Sequence, residues 1–172
     1  MTTGSAATAS RVWNAPGRSG LVALAFFGVL TFLAPLAGAR AVSNADVVYA
    51  ALDKPAWAPP PAVFGPVWTV LYISIAVAAW LVWRRTGWRR GRVALGLWAV
   101  QLALNAAWTP AFFGAGKLGP SVAIIAALDA AVVATIAAFA RHSRPAAGML
   151  TPYLAWVAFA TALDIAIWRL NA

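Results

Sequence analysis

Aromatic and hydrogen-bonding side chains recur at helical spacing in three apolar segments of the chain. Within each segment the members are three or four residues apart: Trp68 and Tyr72; Gln101, Asn105, Trp108 and Phe112; and Tyr153, Trp156, Ala160 and Asp164. Residues at this spacing share one face of an α-helix. Three such faces predict an aromatic-walled cavity with a few polar anchors for a ligand. The alternative is that the amides link helices and the tryptophans pack or lie at membrane interfaces.

Two aspartates, Asp129 and Asp164, lie inside long apolar stretches. An ionised carboxylate costs at least ~2.5 kcal/mol at the centre of a bilayer, so such residues mark either a buried hydrogen bond or a polar function. Asp164 continues the stripe of Trp156, which favours a role as a ligand anchor. A transporter that uses Asp129 and Asp164 is a third interpretation, although no internal duplication supports alternating access.

The connection from Arg40 to Ala62 is the one long loop between the apolar segments, and we call it the first connection. It holds the sequence Lys54-Pro55-Ala56-Trp57-Ala58-Pro59-Pro60-Pro61. Prolines fix φ and bias the preceding residue towards extended geometry, so this segment should be stiff. A stiff segment that carries a tryptophan and a lysine is suited to cover the mouth of a cavity. The alternative is a tryptophan anchored at the membrane interface beside a proline-rich turn.

The elements that must position these residues are membrane-spanning helices. Of the 172 residues, 63% are hydrophobic and only 10% are charged, which is unlike a soluble domain. With no cysteine and one histidine, the chain has no thiol chemistry, disulfide scaffold or zinc cluster, and we expect no metal site. We interpret the net charge of +9 as basic residues that flank membrane segments and set their orientation, and we expect no nucleic-acid binding.

Five apolar stretches are each long enough to cross a hydrocarbon core of ~30 Å. The sequence therefore predicts an all-α membrane protein, a single five-helix transmembrane domain over residues 20–172 with a flexible basic tail at 1–19. The predicted helices cover residues 20–39, 63–83, 93–114, 120–140 and 149–170. Residues 40–62 would form the lid.

Basic residues are unequally distributed between the two sides of this bundle. One side carries nine (Arg11, Arg18, Arg84, Arg85, Arg89, Arg90, Arg92, Arg141 and Arg144), and the other carries four (Arg40, Lys54, Lys117 and Arg169). The positive-inside rule then predicts a cytoplasmic N-terminus and an external C-terminus. The first segment also has a second interpretation, a signal peptide cleaved near Ala37-Gly38-Ala39, which leaves the later helices oriented the same way.

Four segments of this chain resemble the signature of the translocator protein family, also called tryptophan-rich sensory proteins or TspO/MBR proteins. The resemblance lies in the run from Lys54 to Pro60, in 63–72 (VFGPVWTVLY), in 101–108 (QLALNAAW) with 112–114 (FFG), and in 152–160 (PYLAWVAFA). It covers helices one to five in order. In combination these motifs are highly specific.

The resemblance implies a five-helix bundle, commonly a homodimer, in a bacterial membrane in contact with lipid. It also implies a porphyrin or a related flat hydrophobic ligand, with no obligatory cofactor, and a role in sensing, sequestration or export. The ligand-binding residues that it implies are Trp57, Trp68, Tyr72, Asn105, Trp108, Trp156 and Ala160. The stripe on the fifth helix adds Tyr153 and Asp164, which makes nine expected residues. Lys54 or Arg40 would meet ligand carboxylates at the mouth, while tryptophans stack on the macrocycle.

Two further expectations concern activity and ligand class. Some relatives are reported to degrade porphyrin with light and oxygen, and Trp68 and Trp156 would then be the catalytic candidates. Asp164 stands where the family usually has asparagine, which could alter ligand preference. The stretch from Leu163 to Arg169 also lacks the tyrosine of the animal cholesterol-recognition pattern, so sterol handling is not supported.

Overall fold

The computed structural model describes residues 18–40, 45–114 and 118–172 of the chain. Six α-helices and one 3₁₀ turn (Pro61–Val63) make up most of these residues. The helices are α1 (Arg18–Arg40), α2 (Ala45–Ala51), α3 (Phe64–Phe113), α4 (Leu118–Ala140), α5 (Arg144–Met149) and α6 (Thr151–Leu170). A flexible tail was predicted at residues 1–19, and residues 1–17 of it lie outside the described residues. Its last two residues, Arg18 and Ser19, belong to α1.

The long helix α3 contains two membrane spans. Its 50 residues would extend about 75 Å if they were straight, more than twice the thickness of a hydrocarbon core. The helix is interrupted at Gly87, where φ is 62° and ψ is −175°. This region of backbone space is essentially restricted to glycine. The part of α3 before Gly87 and the part after it are called its first and second arms.

The two arms of α3, together with α1, α4 and α6, form a bundle of five helices, so the predicted fold class is confirmed. The boundary between the second and third spans differs from the prediction, which left residues 84–92 as a loop. Helical structure instead continues up to Thr86 and resumes at Trp88. Arginine is a good helix former, so the basic cluster extends both helices, and Gly87 alone supplies the reversal, while Gly91 stays helical.

The bundle core lies where α1 packs on α3 and where α4 packs between α3 and α6. Fully buried apolar side chains from four helices meet there, among them Phe27, Ile75, Leu128 and Val157. Ala78 and Ala79 on α3 are also fully buried, and small residues of this kind let neighbouring helices approach closely in a membrane. Several large apolar side chains of α1 are exposed instead, as expected for a surface in contact with lipid.

The first connection is ordered over its described part, residues 45–62. It contains the short helix α2, which was not predicted, and then the proline-rich segment. Three hydrogen bonds are made to carbonyl oxygens of the segment: the Ala58 amide donates to Pro55 (3.0 Å), the Val63 amide to Pro60 (3.0 Å), and the Tyr49 hydroxyl to Pro59 (3.2 Å). Ring contacts with the bundle, Tyr49 on Phe64 and Trp57 on Phe159, hold the connection over one end of it.

Candidate functional site

A cavity of about 300 Å³ lies at the end of the bundle beneath the first connection. This volume is at the lower end of the range found for small-molecule sites. The lining residues come from α1, the first connection, both arms of α3, and α6: Pro35, Ala45, Tyr49, Pro61, Phe64, Trp68, Tyr72, Asn105, Trp108, Thr109, Phe112, Phe113, Ala160, Leu163 and Asp164. Most of this surface is aromatic or aliphatic, so the cavity suits an apolar ligand.

Trp68 and Tyr72 form one aromatic wall of the cavity. They are one turn apart on the first arm of α3, and their rings stack with centroids 5.1 Å apart and an interplanar angle of 21°. The face of such a stacked pair is a flat surface that complements the face of another aromatic ring. A residue missed by the sequence analysis, Phe64, extends the same wall because it lies one turn before Trp68.

A buried hydrogen-bond chain fixes the polar side chains behind this wall. The Tyr72 hydroxyl donates to Asn105 Oδ1 (2.9 Å), and Asn105 Nδ2 donates to the Tyr153 hydroxyl (3.4 Å). The Tyr153 hydroxyl in turn donates to Gln101 Oε1 (2.8 Å). The chain joins both arms of α3 to α6, and buried networks of this kind hold their members in one geometry.

Asp164 and Trp108 form a second polar point in the lining. The Trp108 indole N–H donates to Asp164 Oδ2 (3.0 Å), and the Ser121 hydroxyl lies 2.9 Å from Asp164 Oδ1. Asp164 is only 1% exposed, so these contacts replace water for both carboxylate oxygens. Ser121, on α4, was missed by the sequence analysis because nothing in the spacing shows which helix covers this face of α6.

The other intramembrane acid, Asp129, lies apart from the cavity lining. Its Oδ2 accepts a hydrogen bond from the Thr161 hydroxyl (2.7 Å), which joins α4 to α6. Within the described residues, Asp129 Oδ1 has no hydrogen-bond partner. The two acids therefore have different surroundings, and only Asp164 is part of the candidate site.

Of the nine expected ligand-binding residues, the structure brings six into the cavity lining: Trp68, Tyr72, Asn105, Trp108, Ala160 and Asp164. The other three lie outside it. Tyr153 is fully buried in the hydrogen-bond chain, and Trp57 is half exposed with its ring edge on Phe159. Trp156 packs between Phe64 and Phe159, and its indole N–H has no hydrogen-bond partner among the described residues.

The two basic residues expected at the mouth are placed differently. Lys54 Nζ donates to the carbonyl oxygens of Tyr49 (2.7 Å), Ala50 and Leu52. The ammonium group thereby provides donors for carbonyl oxygens at the C-terminal end of α2. It also lies 5.1 Å from the centre of the Tyr49 ring. Burial raises the pKa of the Tyr49 phenol, which stays neutral. The side chain of Arg40 lies outside the described part of the structure.

The arrangement offers stacking surfaces and hydrogen bonds rather than ligands for a metal ion. In the part of the chain that the structure describes, no group of three histidine, cysteine, aspartate or glutamate side chains could hold a metal.

A sequence signal was available for two further lining residues: Phe112, which belongs to the Gln101 stripe, and Phe64. No sequence signal identified Tyr49, whose position depends on the unpredicted helix α2.

Comparisons with known proteins cover most of the chain. The profile of the TspO/MBR family matches residues 21–169. The human translocator protein is 45% identical over 125 residues, which are 72% of this chain and 74% of the human protein. The tryptophan-rich protein TspO of Chlorobaculum tepidum is 43% identical over 72% of this chain and 78% of its own length. The tryptophan-rich sensory protein of Cereibacter sphaeroides is 39% identical over 83% of this chain and 90% of its own length.

Proposed function

Because the chain belongs to the TspO/MBR family and is an integral membrane protein, we propose that its cavity binds a tetrapyrrole for sensing, sequestration or export. The observation that carries this proposal is the aromatic cavity beneath the first connection, with the stacked rings of Trp68 and Tyr72 in its wall. A porphyrin is flat, aromatic and largely apolar, so stacking and apolar burial are the interactions that it would use.

The carboxylates of the porphyrin would stay at the mouth of the cavity. Burying an unpaired carboxylate in an apolar wall is costly, so these groups should remain near water or near a basic residue. Lys54 is the basic residue of the first connection whose side chain the structure describes. Its ammonium group already lies beside Tyr49, which lines the cavity. In the proposed complex, Lys54 exchanges part of its carbonyl contacts for a ligand carboxylate.

We also propose that the N-terminus and the Gly87 reversal face the cytoplasm, while the first connection faces the opposite side. Arg84, Arg85, Arg89, Arg90 and Arg92 surround the reversal and are exposed, as are Arg141 and Arg144 in the neighbouring turn. Arg85 donates to the His142 carbonyl (3.1 Å), so the two basic segments lie together. Such clusters are retained on the cytoplasmic side of membranes. The cavity would then open towards the external side.

The proposal is tested by titrating the purified full chain with protoporphyrin in non-ionic detergent and following tryptophan fluorescence. Saturable quenching is expected, and Trp68→Leu should weaken the affinity about tenfold because it removes an aromatic stacking surface. The matched control is Trp88→Leu, which alters a half-exposed tryptophan at the opposite end of the bundle. Quenching that does not saturate, or equal losses in both variants, would contradict the proposed site.

The same titration, followed by absorbance in light and in darkness, separates binding from degradation. A binding role predicts that the porphyrin spectrum is recovered unchanged when the ligand is extracted afterwards. Protein-dependent loss of the porphyrin bands in light would instead indicate photochemistry in the cavity. Trp68, which lines the cavity, would then be tested before Trp156, which does not.

A further inference from the structure

Asp164 is the acidic side chain in the described lining of the cavity, and the other described lining residues are uncharged. Its two hydrogen-bond contacts there, with Trp108 and Ser121, are also with neutral groups. An ionised carboxylate without an opposite charge is unfavourable in such surroundings. A ligand that brings a positive charge to Asp164 removes this cost, whereas a ligand carboxylate would add to it.

Asp164 keeps hydrogen-bonding capacity for such a ligand. An ionised carboxylate offers about four lone-pair sites, and each of its oxygens has one contact here. The Ser121 hydroxyl has one proton but lies within hydrogen-bond distance of both the Leu118 carbonyl (2.7 Å) and Asp164 Oδ1 (2.9 Å). Ser121 can therefore turn to Leu118 alone, which leaves Asp164 Oδ1 free to accept from another donor.

The rings next to Asp164 add a second, independent feature. The Trp108 ring lies 5.3 Å from the ring of Phe112 and 6.1 Å from that of Phe113, measured between centroids, and all three residues line the cavity. Aromatic faces attract organic cations, most strongly when water is excluded. A carboxylate hydrogen-bonded to one ring of an aromatic cluster, in the same cavity lining, combines the two interactions by which proteins bind ammonium groups.

We propose that Asp164 is the specificity-determining residue of the cavity and selects flat aromatic ligands that place a protonated amine against it. The proposal rests on the proposed function in one respect: both take the same cavity as the ligand site. For a tetrapyrrole, it means that the carboxylates point away from Asp164, towards the mouth.

The experiment uses three probes with one flat skeleton: anthracene-methylamine, anthracene-methanol and anthracene-carboxylate. At neutral pH they are cationic, neutral and anionic. Each is titrated into the full chain in non-ionic detergent, with quenching of tryptophan fluorescence as the readout. The variants are Asp164→Asn, which keeps the shape and an acceptor for Trp108, and Asp129→Asn as the matched control at an acid outside the lining.

The unmodified protein should bind the amine at least about tenfold more tightly than the carboxylate, the difference that one charge-assisted hydrogen bond supplies. Asp164→Asn should reduce this preference to about threefold or less, because it removes the negative charge. Asp129→Asn should keep the preference. An unmodified protein with no preference for the amine, or an equal preference in Asp164→Asn, overturns the proposal.

The two proposals fail in distinguishable ways. If the neutral alcohol and protoporphyrin bind saturably but charge has no effect, the cavity remains the ligand site and only the role of Asp164 is wrong. If none of the anthracene probes and no porphyrin binds, both proposals are wrong. The unmodified protein keeps the proposal falsifiable even if Asp164→Asn does not fold, because the absence of a preference for the amine would overturn the proposal without any variant.

Discussion

Asn171 makes a reciprocal pair of hydrogen bonds with the backbone of Asp53. Its Nδ2 donates to the Asp53 carbonyl oxygen (2.9 Å), and its Oδ1 accepts from the Asp53 amide (3.0 Å). A third bond, from Asn171 Nδ2 to the Ile167 carbonyl (2.8 Å), fixes the side chain at the end of α6. The end of the last helix therefore holds the connection that covers the cavity, across 118 positions of sequence.

Asn171→Ala is expected to loosen the first connection without unfolding the bundle. Two exposed hydrogen bonds are lost, each worth about 0.5–1.5 kcal/mol. Hydrogen exchange at the Asp53 amide should become about tenfold faster, while core amides of α4 keep their protection. Leu170→Ala, at an exposed neighbour in the same helix turn, is the control and should leave the Asp53 amide unchanged. Equal exchange rates in both variants would show that Asn171 does not hold the connection.

Gly87→Ala should destabilise the protein because the backbone at position 87 is accessible essentially only to glycine. The expected loss is about 1–3 kcal/mol in the free energy of unfolding, measured by denaturation in mixed micelles. A Cβ added at Gly87 would meet no side chain within 4 Å apart from those of its chain neighbours, so the cost lies in the backbone itself. Gly96→Ala is the matched control: a Cβ there also meets nothing, and its helical backbone favours alanine by about 0.5–1 kcal/mol. A neutral Gly87→Ala would contradict the role assigned to the reversal.

Tyr153→Phe should destabilise the bundle because Gln101 and Asn105 would lose their hydrogen bonds to the Tyr153 hydroxyl. Gln101 Oε1 is buried and would lose its donor, at a cost of about 1–3 kcal/mol. The double variant Tyr153→Phe, Gln101→Leu should recover part of this loss, since removing both partners is less costly than removing one. Additive losses in a double-mutant cycle would show that the two side chains are not coupled.

The fold was largely predictable from the sequence because long apolar segments have few alternatives in a bilayer. The position of the reversal between the second and third spans was not, since the same basic stretch holds two glycines, Gly87 and Gly91, and nothing local shows that only Gly87 interrupts the helix. Helix α2 was missed for a related reason. Its seven residues are too few to form a stable helix alone, so it depends on contacts made by Tyr49 and Lys54.

The site was predictable where helical periodicity alone decides it. Trp68, Tyr72, Asn105 and Trp108 follow one face of each arm of α3, and that face lines the cavity. Periodicity does not show which neighbour covers a face, however. Tyr153 and Trp156 share the face of Ala160 on α6, yet the first is enclosed by Gln101 and Asn105 and the second by aromatic rings. Their exclusion from the lining depends on helix packing, which the spacing does not contain.

The most direct test of the central claim is to fill the cavity and measure porphyrin affinity. Ala160 lines the cavity and is buried, whereas Ala158 on the same helix is exposed. Ala160→Phe should weaken protoporphyrin binding by about tenfold or more, because the added ring occupies ligand space or forces its neighbours to move. Ala158→Phe should bind like the unmodified protein. Equal affinity in the two folded variants would contradict the claim that this cavity is the ligand site.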